Sequence, residues 1–161
     1  MKKLIIMRHA KSDWSNRNQT DHQRTLNARG KKDAPAMAQE LVKRNTIPQL
    51  ALVSDAMRTR ETWALMQKYL PHTEVKFLRD LYLAEPSEII HQIEQVSSSA
   101  ETVLVLAHNP GITDVFYNLG RVHIDNVPTA GLGCFACDIQ SFSELSTQQY
   151  SLEYFIYPKG L

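Results

Sequence analysis

Leu4-Ile5-Ile6-Met7-Arg8-His9-Ala10 is the stretch whose reading decides the fold. Four consecutive apolar residues, two of them β-branched, predict a short strand buried on both faces, as inside a parallel sheet. A cation and an imidazole then stand where the strand ends. Val103-Leu104-Val105-Leu106-Ala107-His108 repeats the arrangement further along. Open α/β sheets keep their sites beyond the carboxyl ends of the strands, so Arg8, His9 and His108 are expected at one rim. Packing alone does not call for two apolar strands that each end in a histidine.

The chain around these strands alternates helix and strand patterns. Ala34, Met37, Ala38, Leu41 and Val42 recur at helical spacing within Ala28 to Val42. Pro35 lacks an amide donor and clashes with the turn before it, so Gly30 and Pro35 put the helix start nearer Lys32 to Ala34. Ala51-Leu52-Val53 forms a strand ending at Ser54-Asp55, and Met57 to Tyr69 is a helix closed by Pro71. Val75 to Leu78 is another strand and Asp80 to Glu85 a loop. Pro86 to Val96 is a helix that buries Ile89, Ile90 and Ile93. The polar run Ser97-Ser98-Ser99 leads back to the strand ending at Ala107, and Asn109-Pro110-Gly111 is a turn. Ile112 to Leu119 is then a helix closed by Gly120. Gly133 to Ile139 and Ser151 to Tyr157 read as strands that pair as an antiparallel edge. The pattern predicts an α/β fold: a three-layer α/β/α sandwich around a mainly parallel sheet, with residues 1–161 as one domain.

Composition narrows the function. A formal charge of +1 gives no field of one sign for nucleic acid or an anionic membrane. Lys2 and Lys3 precede an apolar run that stops at Arg8, too short for a secretory signal or a membrane span, so a cytoplasmic protein is expected. Cys134 and Cys137 have redox-motif spacing, but they fall in a strand-like run, where positions three apart face opposite sides. With no second cysteine pair, both read as small apolar residues. The sequence leaves the oligomeric state open.

Lys11 to Asn27 has no sustained apolar periodicity, and connections of that length are often functional; Arg24 lies in it. Arg58 falls in the first turn of its helix, where free amide hydrogens and the helix dipole already favour an anion. Arg8, Arg58, His9 and His108 together suit a phosphoryl group, whose oxygens accept paired hydrogen bonds from guanidinium. One histidine, with one ring nitrogen donating to a backbone carbonyl, can present the other to phosphorus as a neutral nucleophile. Zinc needs three or four ligands, only Asp55, Asp80 and Glu85 could assist, and arginines repel a metal, so no metal is expected. There is no Walker loop, no GxGxxG turn and no nucleophile-elbow serine, and no cofactor is expected.

At these residues the chain resembles the histidine phosphatase superfamily, and within it the small phosphohistidine phosphatases of the SixA type. Arg8-His9-Ala10 is similar to the RHG signature, Ser54 to Thr62 to the second arginine motif, and His108-Asn109-Pro110-Gly111 to the second histidine motif. The likeness extends through Lys11 to Trp14, Asp21 to Gly30, Asp80 to Ala84 and Val127 to Gly131. It implies a phosphoglycerate-mutase-like fold, His9 as the nucleophile that becomes phosphohistidine, and Arg8, Arg58 and His108 as the phosphate pocket. It further implies Arg24 as an added cation, Asn109 as a phosphate-binding residue that, with the amides after it, orients His108, and Asp80, with Glu85 second, as the acid. Ala10 stands where the superfamily usually has glycine, and no long insertion covers the pocket. Such openness suits a phosphohistidine-bearing protein and also a small phosphorylated molecule such as a phosphate ester or sugar phosphate. A module that binds phosphorylated partners without turnover is a further reading. Trp14 and Tyr82 are expected at the rim, and His22, His72, His91 and His123 on the surface.

Overall fold

Strand β1 (Lys2–Arg8) lies inside a six-stranded sheet built with β2 (Leu50–Ser54), β3 (Glu74–Leu78), β4 (Thr102–Ala107), β5 (Leu132–Cys137) and β6 (Ser151–Ile156). In this computed structural model, residues 1–97 and 99–161 are described, and Ser98 of the expected polar run lies outside them. The strand order is β3-β2-β4-β1-β5-β6. Strands β3, β2, β4 and β1 are parallel, while β5 runs antiparallel to β1 and β6 antiparallel to β5. The expected antiparallel edge is therefore present.

The unbroken apolar run of β1 has a direct cause. Leu4 and Ile6 face one core, with Ile89 and Ile93 of α3 (Pro86–Glu94) and Ile112, Val115, Phe116 and Leu119 of α4 (Gly111–Gly120). Ile5 and Met7 face the other, with Met37 and Leu41 of α1 (Ala28–Lys43) and Trp63 and Met66 of α2 (Met57–Gln67). A strand covered on both faces cannot alternate with polar residues, and each such side chain contributes roughly 2 kcal/mol by leaving water. The two cores make the sheet the middle layer of a three-layer sandwich. Cys134 and Cys137 fall in different cores, are free thiols, and are pushed up by burial to about 11 and about 12.

Several boundaries differ from the local reading. Helix α1 starts at Ala28, because the Asn27 side chain accepts a hydrogen bond from Gly30 N–H at 2.9 Å and satisfies one of the free amides of the first turn. Pro35 sits inside this helix, where burial of Ala34, Met37, Ala38 and Leu41 outweighs one missing hydrogen bond. Gly30 lets α1 lie against the chain leaving β1, since a Cβ there would stand 2.2 Å from the Lys11 carbonyl. Helix α4 is closed by Arg121 in the left-handed conformation (φ 57°), not by Gly120. Helices α2 and α3 end at Gln67 and Glu94, and Arg79–Leu81 forms a 3₁₀ turn within the expected loop region. No helix among the described residues is long and apolar enough to cross a membrane.

Candidate active site

The parallel register sets Arg8 opposite Ala107, so β1 and β4 release the chain at the same height. His9 and His108 emerge side by side, their rings 5.3 Å apart, with exposures of 5% and 2%. Both are buried side chains that nonetheless line a cavity.

His9 Nδ1 lies 2.7 Å from the Ala10 carbonyl. A carbonyl carries no proton, so Nδ1–H is the donor and Nε2 keeps a lone pair. Helix α2 fixes the turn beneath it: Ala10 N–H donates to Thr62 Oγ1 at 3.1 Å, and Thr62 Oγ1 donates to the Arg58 carbonyl at 2.7 Å. Arg58 Nε donates to His9 Nε2 at 3.4 Å. The guanidinium and imidazole are held together before any ligand arrives.

The long segment after β1 closes the other side. Arg58 Nη1 donates to the Asp21 carbonyl at 2.8 Å, and its Nη2 donates to Asp21 Oδ2 at 3.2 Å. Arg24 pairs with Asp21 at 3.1 Å, donates to Ser12 Oγ, and stacks over the Trp14 ring at 3.4 Å. Tyr82 O–H donates to Asp21 Oδ2 and sets its ring edge-on to His108 at 5.5 Å. Arg8 Nη1 donates to the Val127 carbonyl at 3.0 Å, and its buried Nε has no partner among the described residues. These groups enclose a cavity of about 210 Å³ lined by Arg8, His9, Arg24, Arg58, His108 and Asp21, with Lys11, Ser12, Trp14, Leu83, Asn109 and Thr129. A larger cavity of about 370 Å³, beside α4, shares none of these residues.

The charges are strongly conditioned. Burial drives His9 well below the ordinary histidine range; the Ala10 carbonyl opposes this, and the His108, Arg58 and Arg8 charges reinforce it. Burial first, and then Arg58, lowers His108 to about 3. At Asp21 burial acts upward, but the Tyr82 hydrogen bond, the Arg58 charge and the bonds from Arg24 and Arg58 outweigh it and hold the carboxyl at about 2. The cavity is thus a cluster of fixed cations, two neutral imidazoles and one ionised carboxylate.

Stability should record the two imidazoles. An unfolded histidine binds its proton below about pH 6.5, whereas these folded ones do not, so the unfolded state holds more protons and stability rises with pH. The melting temperature is expected to fall from pH 6.5 toward pH 4, and His108→Asn should flatten that slope in thermal denaturation. An identical slope in the variant would contradict the neutral His108.

Of the residues singled out by sequence, Arg8, His9, Arg24, Arg58 and His108 meet in the cavity. Asp80 does not: it sits on the exposed 3₁₀ turn and its carboxylate accepts from Gln92 Nε2 of α3 at 3.4 Å. Glu85 is the residue before the first turn of α3 and also lies outside the lining. Asn109 lines the cavity, but its amide hydrogens go to Asn126 Oδ1 and the Val127 carbonyl, and its Oδ1 accepts from Thr113 N–H and Oγ1. No hydrogen is left there for an anion. Of the amides after Asn109, Ile112 N–H donates to the His108 carbonyl at 2.9 Å, and the His108 ring meets Ser54 Oγ. His22 is half-buried instead of freely solvated, with Nε2 2.8 Å from Asp55 Oδ1 and its ring edge-on to Tyr82. Asp21, Ser12 and Ser54 also belong to the site: Asp21 stands three positions before Arg24 and shares with Ser12 the long segment after β1, whereas Ser54 ends β2. Among the described residues, no group of three or more His, Cys, Asp or Glu side chains could hold a metal ion.

The α/β sandwich thus gathers three arginines and two neutral histidines beyond the carboxyl ends of parallel strands, a lining complementary in charge and donors to an anion. The model of the histidine phosphatase superfamily (branch 1) matches residues 4–89, and the chain belongs to that family. An uncharacterised chloroplastic protein of Arabidopsis thaliana is 33% identical over 120 residues, covering 68% of this chain and 55% of its own. An uncharacterised protein of Mycobacterium leprae is 34% identical over 114 residues, covering 68% of each. The match therefore spans about half of the plant relative's length. The Nakamurella multipartitia protein assigned as phosphohistidine phosphatase SixA superposes with a TM-score of 0.86 at 24% identity, over 98% of this chain and 96% of that one. The protein histidine phosphatase SixA complexed with tungstate gives 0.82 at 17%, over 98% and 97%. A mycobacterial glucosyl-3-phosphoglycerate phosphatase gives 0.69 at 15%, over 95% and 97%. The fold is thus the phosphoglycerate-mutase-like α/β sandwich.

Proposed function

We propose that this chain is a metal-independent phosphatase that removes the phosphoryl group from phosphohistidine on a partner protein, through a covalent intermediate on His9. The observation that carries this reading is the state of Asp21. Among the described residues it is the only carboxylate lining the cavity, and Tyr82, Arg58 and Arg24 hold it ionised at about 2. No lining carboxylic acid is left to protonate a leaving group at neutral pH.

That deficiency selects the substrate. An alkoxide leaving from a phosphate ester needs a proton from an acid, and general acid catalysis is worth about 10²–10⁴-fold. The imidazole of phosphohistidine takes a proton from water before it leaves, so its P–N bond breaks without such help. His9 Nε2 attacks phosphorus in line, the P–N bond of the substrate breaks, and its electron pair departs with the protonated imidazole. Arg8, Arg58, Arg24 and His108 hold the charge on the phosphoryl oxygens. Water then attacks the phosphorus on His9; the P–Nε2 bond breaks, and phosphate leaves. A related fold that binds tungstate, an oxyanion of similar shape, and is described as a protein histidine phosphatase supports the same reading. The two free thiols accord with a reducing cytoplasmic setting.

The test is phosphate release, with chelator present, from a phosphohistidine-bearing protein and from phosphoserine, phosphotyrosine and sugar phosphates. At least about 100-fold higher kcat/KM on phosphohistidine is expected, the low end of what a missing acid costs an ester. Equal or faster release from esters would replace this substrate class with small phosphate monoesters. Tight binding of the phosphoprotein with no release from any substrate would make the chain a binding module.

A further inference from the structure

We propose that Ser54 is a positioning residue that fixes the tautomer of His108 and so makes Nδ1–H of His108 the donor to the phosphoryl group. The step rests on the phosphoryl-transfer reading above, but its geometry stands independently. Ser54 ends β2 and is fully buried; since Val53 pairs with Leu106 in β4, its side chain reaches the histidine that follows that strand. Ser54 Oγ lies 2.7 Å from His108 Nε2. The other ring nitrogen, Nδ1, is buried without a partner among the described residues.

Two proton arrangements are conceivable, and they differ in consequence. If Nε2 carried the proton and donated to Ser54, the serine hydroxyl hydrogen would need another acceptor. Among the described residues Ser54 Oγ has one further hydrogen bond, from the Ala56 N–H at 3.4 Å, which is itself a donor. The hydroxyl hydrogen would be stranded, and Nδ1 would turn a lone pair toward incoming phosphoryl oxygens. In the opposite arrangement Ser54 O–H donates to Nε2 while accepting from Ala56, and the ring proton resides on Nδ1. Ser54 Oγ–H, His108 Nε2 and Ala56 N–H are then all matched, which leaves His108 Nδ1–H as a buried donor beside His9 for an anion in the cavity. Burial and Arg58 keep His108 neutral, so the tautomer, not a protonation event, sets which atom donates. His9 and His108 thus carry the proton on the same nitrogen but turn opposite edges to the cavity: His9 presents its Nε2 lone pair, His108 its Nδ1 proton.

The test reads the tautomer directly. Long-range ¹H–¹⁵N spectra of ¹⁵N-labelled protein at pH 7 should give a protonated Nδ1 and an unprotonated Nε2 for His108, and Ser54→Ala should move the population toward protonated Nε2. In the same variant kcat on phosphohistidine protein is expected to fall on the order of 100-fold, the usual loss when one oriented donor to transition-state charge is misdirected. Ser54→Thr, which keeps the hydroxyl on a strand-compatible side chain, should restore both readouts. A protonated Nε2 in the unsubstituted protein overturns the proposal, even if Ser54→Ala fails to fold. So does an unchanged tautomer in a folded Ser54→Ala. A protonated Nδ1 in a protein that releases no phosphate would leave the Ser54 assignment standing and overturn the proposed reaction instead.

Discussion

Replacing His9 with alanine is expected to abolish turnover of phosphohistidine protein, lowering kcat by about 10⁵-fold or more, as loss of a covalent nucleophile does elsewhere. The expectation follows from the two ring nitrogens. Nδ1 is committed to the Ala10 carbonyl, and burial, which holds the ring well below the ordinary histidine range, keeps Nε2 unprotonated at neutral pH. The second imidazole, His108, has its Nε2 committed to Ser54 Oγ. The Ser12 hydroxyl accepts from Arg24 and has no base beside it, and both cysteines lie in the cores with their thiols pushed up. Rapid quenching after addition of a ³²P-labelled phosphohistidine donor should trap acid-labile label on the unsubstituted protein and none on His9→Ala. The arginines remain in the variant, so vanadate should still bind it. Residual turnover above ~1% would assign the nucleophile elsewhere.

The parts of this site that the sequence exposes are those announced by a break in pattern. β1 and β4 are apolar until they meet Arg8-His9 and His108, and burial on both faces makes any polar residue at their ends conspicuous. Arg58 is legible for a related reason, since a first-turn arginine stands against the helix dipole unless an anion is near. Ser54 breaks the apolar pattern at the end of β2 in the same way, but a serine is an ordinary strand terminus. Its meaning depends on β2 lying next to β4, a neighbour relation that strand patterns do not carry. Asp21 is hidden more deeply: its partners Arg58 and Tyr82 come from two other parts of the chain.

Asp80 misleads by proximity. It is two residues from Tyr82, which does reach the site, but the 3₁₀ turn at Arg79–Leu81 separates their directions. Asp80 faces Gln92 while Tyr82 reaches Asp21. At α1 the error runs the other way. Pro35 is a strong local signal against a helix interior, yet the Asn27 cap and one buried helix face override it.

Arg58→Lys is expected to be nearly as damaging as Arg58→Ala, with both lowering kcat/KM by about 10³-fold, the scale of one preorganised contact to transition-state charge. A purely electrostatic account predicts that lysine should rescue, so the pair separates charge from geometry. Arg58 serves three directions at once: Nε toward His9 Nε2, Nη1 toward the Asp21 carbonyl and Nη2 toward the Asp21 carboxylate. A planar fork can hold that set, whereas an ammonium at the end of a flexible stem cannot reproduce its fixed directions. Loss of the fork also releases Asp21, which ties the segment between β1 and α1 to the site. Amide exchange of residues 21–24 should therefore quicken in both variants, while exchange in β1 and β4 stays as it was. Asp21 itself keeps Arg24 and Tyr82 as partners, so it stays ionised and does not become a substitute acid. Phosphate esters should for that reason gain nothing in either variant. If Arg58→Lys instead retains a third or more of the activity, the positive charge alone is what the transferring group requires, and the shared geometry of Arg58, His9 and Asp21 has another cause.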